Sequence, residues 1–152
     1  MTIVVDSPAQ LPDAIGQSAT SDWLLIDQEK IAAFADATED WQWIHLDTER
    51  AASGPFGTTI AHGYLTLSLL PRLTAGLLSV TGIAMVVNYG LDRVRFLQPV
   101  PSGSRVRAET EITAVEPVPQ GYRVSLHTTV ELEGSQRPAL VAQTVGLFVP
   151  ES

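Results

Sequence analysis

Asp40 and His45 stand five residues apart in a stretch that also carries Trp41 and Trp43. A carboxylate and an imidazole at that spacing can converge on one water or one substrate proton. Imidazole is the usual general base near neutral pH, and a carboxyl partly desolvated by an indole can hold a proton it would lose in water. Such a pair can add or remove water. Spacing alone leaves a second reading open, that of a surface pair or a loop-ordering hydrogen bond. Further along, His62 and Gly63 directly precede an apolar helical segment, whose first backbone N–H groups lack internal acceptors. Glycine there lets a ligand carbonyl come close to the backbone, and an enolate is the kind of charge such N–H groups stabilise. A plainer reading stands beside this one: a helix start that needs glycine for steric reasons, with His62 capping or packing.

Other candidates are weaker. Asn88 and Tyr89, beside Gly90 at the end of an apolar run, either line a pocket or mark a strand end with a bulge. His127 alternates onto the polar side of a strand and receives no role. The histidines lack a paired carboxylate spacing, so no metal site is expected. With neither a glycine-rich phosphate loop nor a nucleophile elbow, no cofactor is expected either. The chain has no cysteine, which excludes thiolate chemistry and disulfides.

A net charge of −8 argues against nucleic acid, whose phosphates are met by basic surface. The arginines are nevertheless clustered at Arg93, Arg95, Arg105 and Arg107, either as a local patch for a phosphorylated ligand or as a solvated strand face near Glu109 and Glu111. No run of about eighteen apolar residues and no basic leader with an apolar core occur, so neither a membrane span nor an export signal is expected. A cytoplasmic protein is the expectation.

The elements that must position these groups follow from periodicity. At 152 residues, 45% hydrophobic and 17% charged, the chain suits one globular domain, residues 1–152, with one core. Residues 1–20, with Pro8, Pro12 and Gly16, read as an irregular lead-in carrying at most a turn or a short helix. Residues 23–26 read as a short strand. Asp27 then caps a helix to about residue 38, with Ile31, Phe34, Ala35 and Thr38 on one side. Residues 40–57 read mostly as loop, with a helical turn near 48–52. The segment after Gly63 has leucines all round its axis, as expected of a central helix buried on nearly every side, with a kink or break at Pro71.

Beyond it the period becomes twofold. Residues 83–89 form an apolar run, and Val94 and Phe96 alternate with Arg93 and Arg95, which predicts one buried face. Val106, Ala108, Thr110, Ile112 and Ala114 share a face, as do Tyr122, Val124, Leu126, Thr128, Val130 and Leu132, and residues 139–149 form a last strand. One apolar helix followed by a meander of long strands is an α+β pattern whose sheet buries its apolar face by curling around the helix.

Taken in order, Asp40-Trp-Gln-Trp-Ile-His45-Leu-Asp47, then Pro55-Phe56-Gly57, Ile60-Ala61-His62-Gly63 and Asn88-Tyr89-Gly90-Leu91-Asp92-Arg93-Val94-Arg95-Phe96, resemble the MaoC-like (R)-specific enoyl-CoA hydratases, above all their nodulation-protein-N-like, mycobacterial-type branch. The resemblance runs from about residue 20 to residue 149. It implies a single hot-dog domain, an antiparallel sheet wrapped around a long central helix, in a homodimer. It also implies a lyase of fatty-acid metabolism that hydrates trans-2-enoyl-CoA to (R)-3-hydroxyacyl-CoA and takes an acyl-CoA thioester as substrate. The motif carries over to Asp40 and His45 as the catalytic pair and to Gly63 as the oxyanion hole. Gln42, His62 and Asn88 are expected to bind substrate, and Trp41 or Trp43 with leucines of the central helix to wall the acyl tunnel. Gln42 and Trp43 depart from the common pattern, which has Asn then Pro, and a serine that some short-chain members carry falls at Pro71. Two other classes stay open: a hot-dog acyl-CoA thioesterase, and a non-catalytic acyl-CoA binding or assembly subunit.

Overall fold

The computed structural model describes residues Met1–Ser152. In chain order it contains β1 (Ile3–Val5), a 3-10 helix (Pro8–Ala14), β2 (Ser18–Thr20), β3 (Leu24–Ile26), α1 (Gln28–Thr38), α2 (Trp43–Leu46), α3 (Thr48–Ala52), α4 (Gly63–Ser68), α5 (Leu70–Thr74), β4 (Leu78–Val80), β5 (Ile83–Phe96), β6 (Ser104–Val118), β7 (Gly121–Leu132) and β8 (Leu140–Pro150). The six-stranded sheet is antiparallel throughout. β6, β7 and β8 are its centre, β5 pairs with β8 on one side, and β2 and β3 share the outer edge of β6.

Twofold alternation aims one face of these strands inward. Val124, Thr128, Val130 and Leu132 of β7 are buried, as are Val106, Ala108, Thr110 and Ile112 of β6. The alternation expected to continue to Ala114 does not. A register shift between Ile112 and Ala114 reverses the phase, so that Ala114 is exposed while Val115 packs inward. Against the concave face lie α4 and α5, whose Leu65, Leu70 and Leu73 join Val106, Val130 and Leu140 in one cluster. Each such side chain contributes roughly 1.5–3 kcal/mol when fully buried. A sheet curled around a helix is the hot-dog architecture.

The central helix departs from expectation in two ways. Its break falls at Leu69, two residues before Pro71, and divides it into α4 and α5. Proline has no N–H and its ring meets the carbonyl four residues back, so Pro71 is accommodated near the start of a new helix. The helix is also one-sided: Tyr64, Ser68 and Arg72 are exposed. The same holds for β5, expected to bury one face. Met85, Val86, Val87, Tyr89 and Leu91 are all exposed, because β5 is an edge strand and no other element of the chain covers it.

The lead-in is more ordered than its prolines suggest. β1 pairs in parallel with β4, and Ile3, Val5, Leu11 and Ala14 form a second apolar cluster with Ile112, Val124 and Phe148. α1 is capped by Asp27, whose carboxylate accepts the Lys30 N–H at 2.8 Å, and it buries Ile31 and Ala35 completely. It ends where Glu39 takes φ 61°, the one non-glycine residue with positive φ. That turn delivers Asp40.

Candidate active site

The candidate site is assembled by three short pieces of chain: the turn after α1, the single turn of α2, and the extended segment before α4. His45 lies on α2, one helical turn inside a stretch whose broken periodicity predicts loop. Backbone bonds stitch the extended segment in place: Ile60 N–H donates to Ile44 O at 3.0 Å, and Ala61 N–H to Val100 O at 2.8 Å. Ile60 in turn fixes the histidine. His45 is buried, and its Nδ1–H donates to the Ile60 carbonyl at 2.8 Å. A carbonyl only accepts, so the neutral ring has its proton on Nδ1 and a bare lone pair on Nε2. Burial is the main cause that lowers the His45 pKa from its ordinary value, and nearby His62 adds to it. The Ile60 hydrogen bond and Asp40 act in the opposite direction. His45 is thereby a neutral base with Nε2 free.

His62 lies directly behind it. The two imidazoles stack with centroids 3.7 Å apart and planes at 22°. His62 Nε2–H donates to the backbone carbonyl of Asp40 at 3.0 Å, and the Asp40 carboxylate oxygen Oδ2 lies 4.0 Å from the same nitrogen. Phe34 covers the outer side of the ring, with centroids 4.9 Å apart. One carboxylate oxygen of Asp40 and one nitrogen of each ring all fall within 4.8 Å of one another. Two of the three histidines, distant in sequence, therefore meet beside Asp40. Their stacking still makes poor chelation, because lone pairs lying in two nearly parallel planes cannot both be aimed at one ion.

Gly63 is the first residue of α4, so its N–H has no intrahelical acceptor. A Cβ built at this position would come within 3.0 Å of Cδ1 and 3.1 Å of Cε1 of Phe96. Backbone and ring are thus in close contact where side-chain atoms would otherwise be. His45 and Gly63 both line a cavity of about 390 Å³, together with Ile60, Thr66, Phe96 and Val100. A second cavity, of about 720 Å³, lies between α4–α5 and the sheet and is bounded by Leu67, Leu70, Thr74, Leu126 and Phe148, with Val86, Asn88 and Leu91 on the β5 side.

Asp40, His45 and His62 are brought together, and His45 shares its cavity with Gly63. Gln42 and Asn88 are not brought to that cavity. Gln42 is exposed at the N-cap of α2 and reaches Asp40 through its backbone N–H, 3.4 Å from Oδ1, while its carboxamide caps nothing. Asn88 lines the larger cavity. His62, expected to touch substrate, is buried behind His45 and lines neither cavity. The tryptophans do not wall a tunnel: Trp41 Nε1–H donates to Asp36 at 2.8 Å, and Trp43 stacks under the Arg50 guanidinium at 4.1 Å.

Sequence reasoning missed Gln28. Its Nε2–H donates to the His45 carbonyl at 2.7 Å, and its Oε1 accepts the Thr59 hydroxyl at 2.5 Å. One side chain at the start of α1 thus ties α2 to the segment before α4. No local pattern marks it, because its partners are 17 and 31 residues away.

Comparison with known proteins agrees with this architecture. The family model described as "MaoC like domain" matches residues 10–133. The 3-hydroxyacyl-thioester dehydratase Z of Mycobacterium tuberculosis is 52% identical over 147 residues, covering 96% of this chain and 95% of that protein. Nodulation protein N of Rhizobium leguminosarum is 46% identical, over 93% of this chain and 91% of its own length. Among solved structures, the unliganded R-hydratase of Pseudomonas aeruginosa superposes with a TM-score of 0.76 at 27% identity, covering 96% of this chain and 86% of that one. With the match over most of its length, the chain belongs to the MaoC-like domain family.

Proposed function

We propose that the protein is a hydro-lyase that reversibly hydrates trans-2-enoyl-CoA to (R)-3-hydroxyacyl-CoA in fatty-acid metabolism. The observation that carries this reading is the shared cavity: a neutral histidine with a free Nε2 faces the same space as an unpartnered helix-start N–H. The names of the relatives, a 3-hydroxyacyl-thioester dehydratase and an R-hydratase, support it.

In the forward direction the thioester carbonyl accepts the Gly63 N–H. Water is held between His45 Nε2 and the Asp40 carboxylate. As its oxygen bonds to C3, one water proton passes to the pair, and the C2–C3 π electrons move onto the thioester as an enolate. The Gly63 N–H stabilises the charge on the enolate oxygen. The pair then returns a proton to C2, so water is added across the double bond with nothing left over. Asp40 and His45 act as one coupled unit. The acyl group extends along α4 and α5 into the larger cavity, where Asn88 stands on the β5 side.

The reading includes a homodimer. β5 offers a long unpaired edge with exposed Val86, Val87, Tyr89 and Leu91, the kind of surface that a second copy covers by continuing the sheet. The larger cavity opens on the same strand. A cytoplasmic location belongs to the reading too, and no helix is long and apolar enough to cross a membrane.

The test is loss of enoyl absorbance on mixing purified protein with short and long trans-2-enoyl-CoA, with chiral analysis of the product. (R)-3-hydroxyacyl-CoA should form, and Asp40→Asn or His45→Gln should slow turnover by about 10²–10⁴-fold without unfolding. Unchanged turnover in either variant removes the pair from the mechanism. Free thiol from saturated acyl-CoA, without hydration, would make the protein a thioesterase instead.

A further inference from the structure

We propose that His62 is the positioning residue of this site, a second imidazole that holds Asp40 by its backbone and keeps the His45 ring in place. The proposal rests on the hydratase reading for its kinetic consequence but stands on its own geometry.

Three contacts converge on a ring that is 3% exposed. One face stacks on His45 at 3.7 Å, and Phe34 of α1 covers it from outside. The edge donates Nε2–H to the Asp40 carbonyl, 22 residues away, at 3.0 Å. Asp40 follows the left-handed residue Glu39, in a turn with no regular structure of its own. The His62 bond therefore holds the carboxylate-bearing residue beside the base.

The remaining nitrogen completes the arrangement. Nδ1 is buried and has no partner. With the proton fixed on Nε2 by the Asp40 carbonyl, Nδ1 is a bare acceptor. The titratable groups facing His45 are Asp40, from the turn after α1, and His62, from the residue before α4. His62 thus acts on both groups through position: one face of its ring stacks on His45, and its edge holds the residue that carries the carboxylate.

His62→Phe keeps a stacking ring and removes the donor to the Asp40 carbonyl. It also removes the unpartnered Nδ1, so the fold should tolerate it. The chain has only three histidines, and their ring resonances can be titrated separately by NMR. In wild-type protein His62 should show the Nε2–H tautomer with a bare Nδ1. In hydration assays of His62→Phe kcat should fall about 10–100-fold with KM nearly unchanged, and His62→Gln, whose amide can still donate to the Asp40 carbonyl, should recover much of that loss. A wild-type His62 with its proton on Nδ1 instead of Nε2, or wild-type kcat in a folded His62→Phe, overturns the proposal. If His62→Phe does not fold, His62→Gln and the wild-type tautomer decide in its place. If the wild type shows the predicted tautomer but hydrates nothing, the hydratase reading fails while the positioning role stands.

Discussion

Replacing Gly63 by alanine separates the two uses that a glycine can have at the start of α4. Gly63 is not at positive φ, so the backbone itself accepts an alanine. The added Cβ meets Phe96 at 3.0–3.1 Å, tighter than ordinary contact by a few tenths of an ångström. Phe96 is 48% exposed and can rotate away. Moving its ring costs about 0.5–1.5 kcal/mol. Alanine returns up to about 1 kcal/mol of helix propensity over glycine, so the two nearly cancel. The melting temperature should therefore stay within about 4 °C of wild type. Activity should not survive so well, because the methyl group narrows the approach to the N–H proposed to receive the thioester carbonyl. Loss of one such donor costs about 10²–10³-fold in turnover. The assay is kcat/KM by enoyl absorbance, with Phe96→Leu added to Gly63→Ala as a second variant. If the double variant recovers wild-type turnover, Gly63 is needed only to make room for Phe96, and its role toward substrate is refuted.

Three further outcomes follow from the same geometry. Gln28→Ala leaves the His45 carbonyl and the Thr59 hydroxyl without their partner, and should lower stability by about 1–3 kcal/mol in denaturant melts; wild-type stability would show that water replaces the amide. Because the His45 pKa is lowered on folding, the folded state binds the proton more weakly than the unfolded chain. The His45 contribution to stability is present above the ordinary value of 6.5 and is lost as pH falls from there through the lowered value, with the acid limb of kcat/KM also below 6.5; an acid limb above 6.5 contradicts this. Val87→Arg puts a charge on the free edge of β5, and light scattering should show the proposed dimer converted to monomer; an unaltered dimer places the contact elsewhere.

Much of this fold is legible in the sequence because it rests on local rules. Asp27 caps α1 through a carboxylate three residues from its donor, and the burial of Val124, Thr128 and Val130 follows from strand alternation. The motif around Asp40, His45 and Gly63 marks where the candidate site lies. What local rules cannot carry is the phase change after Ile112, set by pairing with β7, or the burial of Ile3 and Leu11 against Ile112 and Phe148. The bareness of β5 is likewise invisible in an apolar run, since exposure depends on what else the chain supplies to cover it.

The sequence by itself determined which chemistry is available: one carboxylate and one imidazole five residues apart, a glycine ahead of an apolar helix, no thiol, and a meander of half-apolar strands. Tertiary structure alone decided how those groups are used. It fixed the His45 tautomer, because the acceptor is the carbonyl of Ile60, fifteen residues away. It also buried His62, stacked on His45, where the sequence reading expects a residue facing substrate. It moved Gln42 and Asn88 out of the cavity that His45 and Gly63 share. Each of these depends on distances between residues far apart in the chain, and such distances exist only once the sheet has closed around the helix.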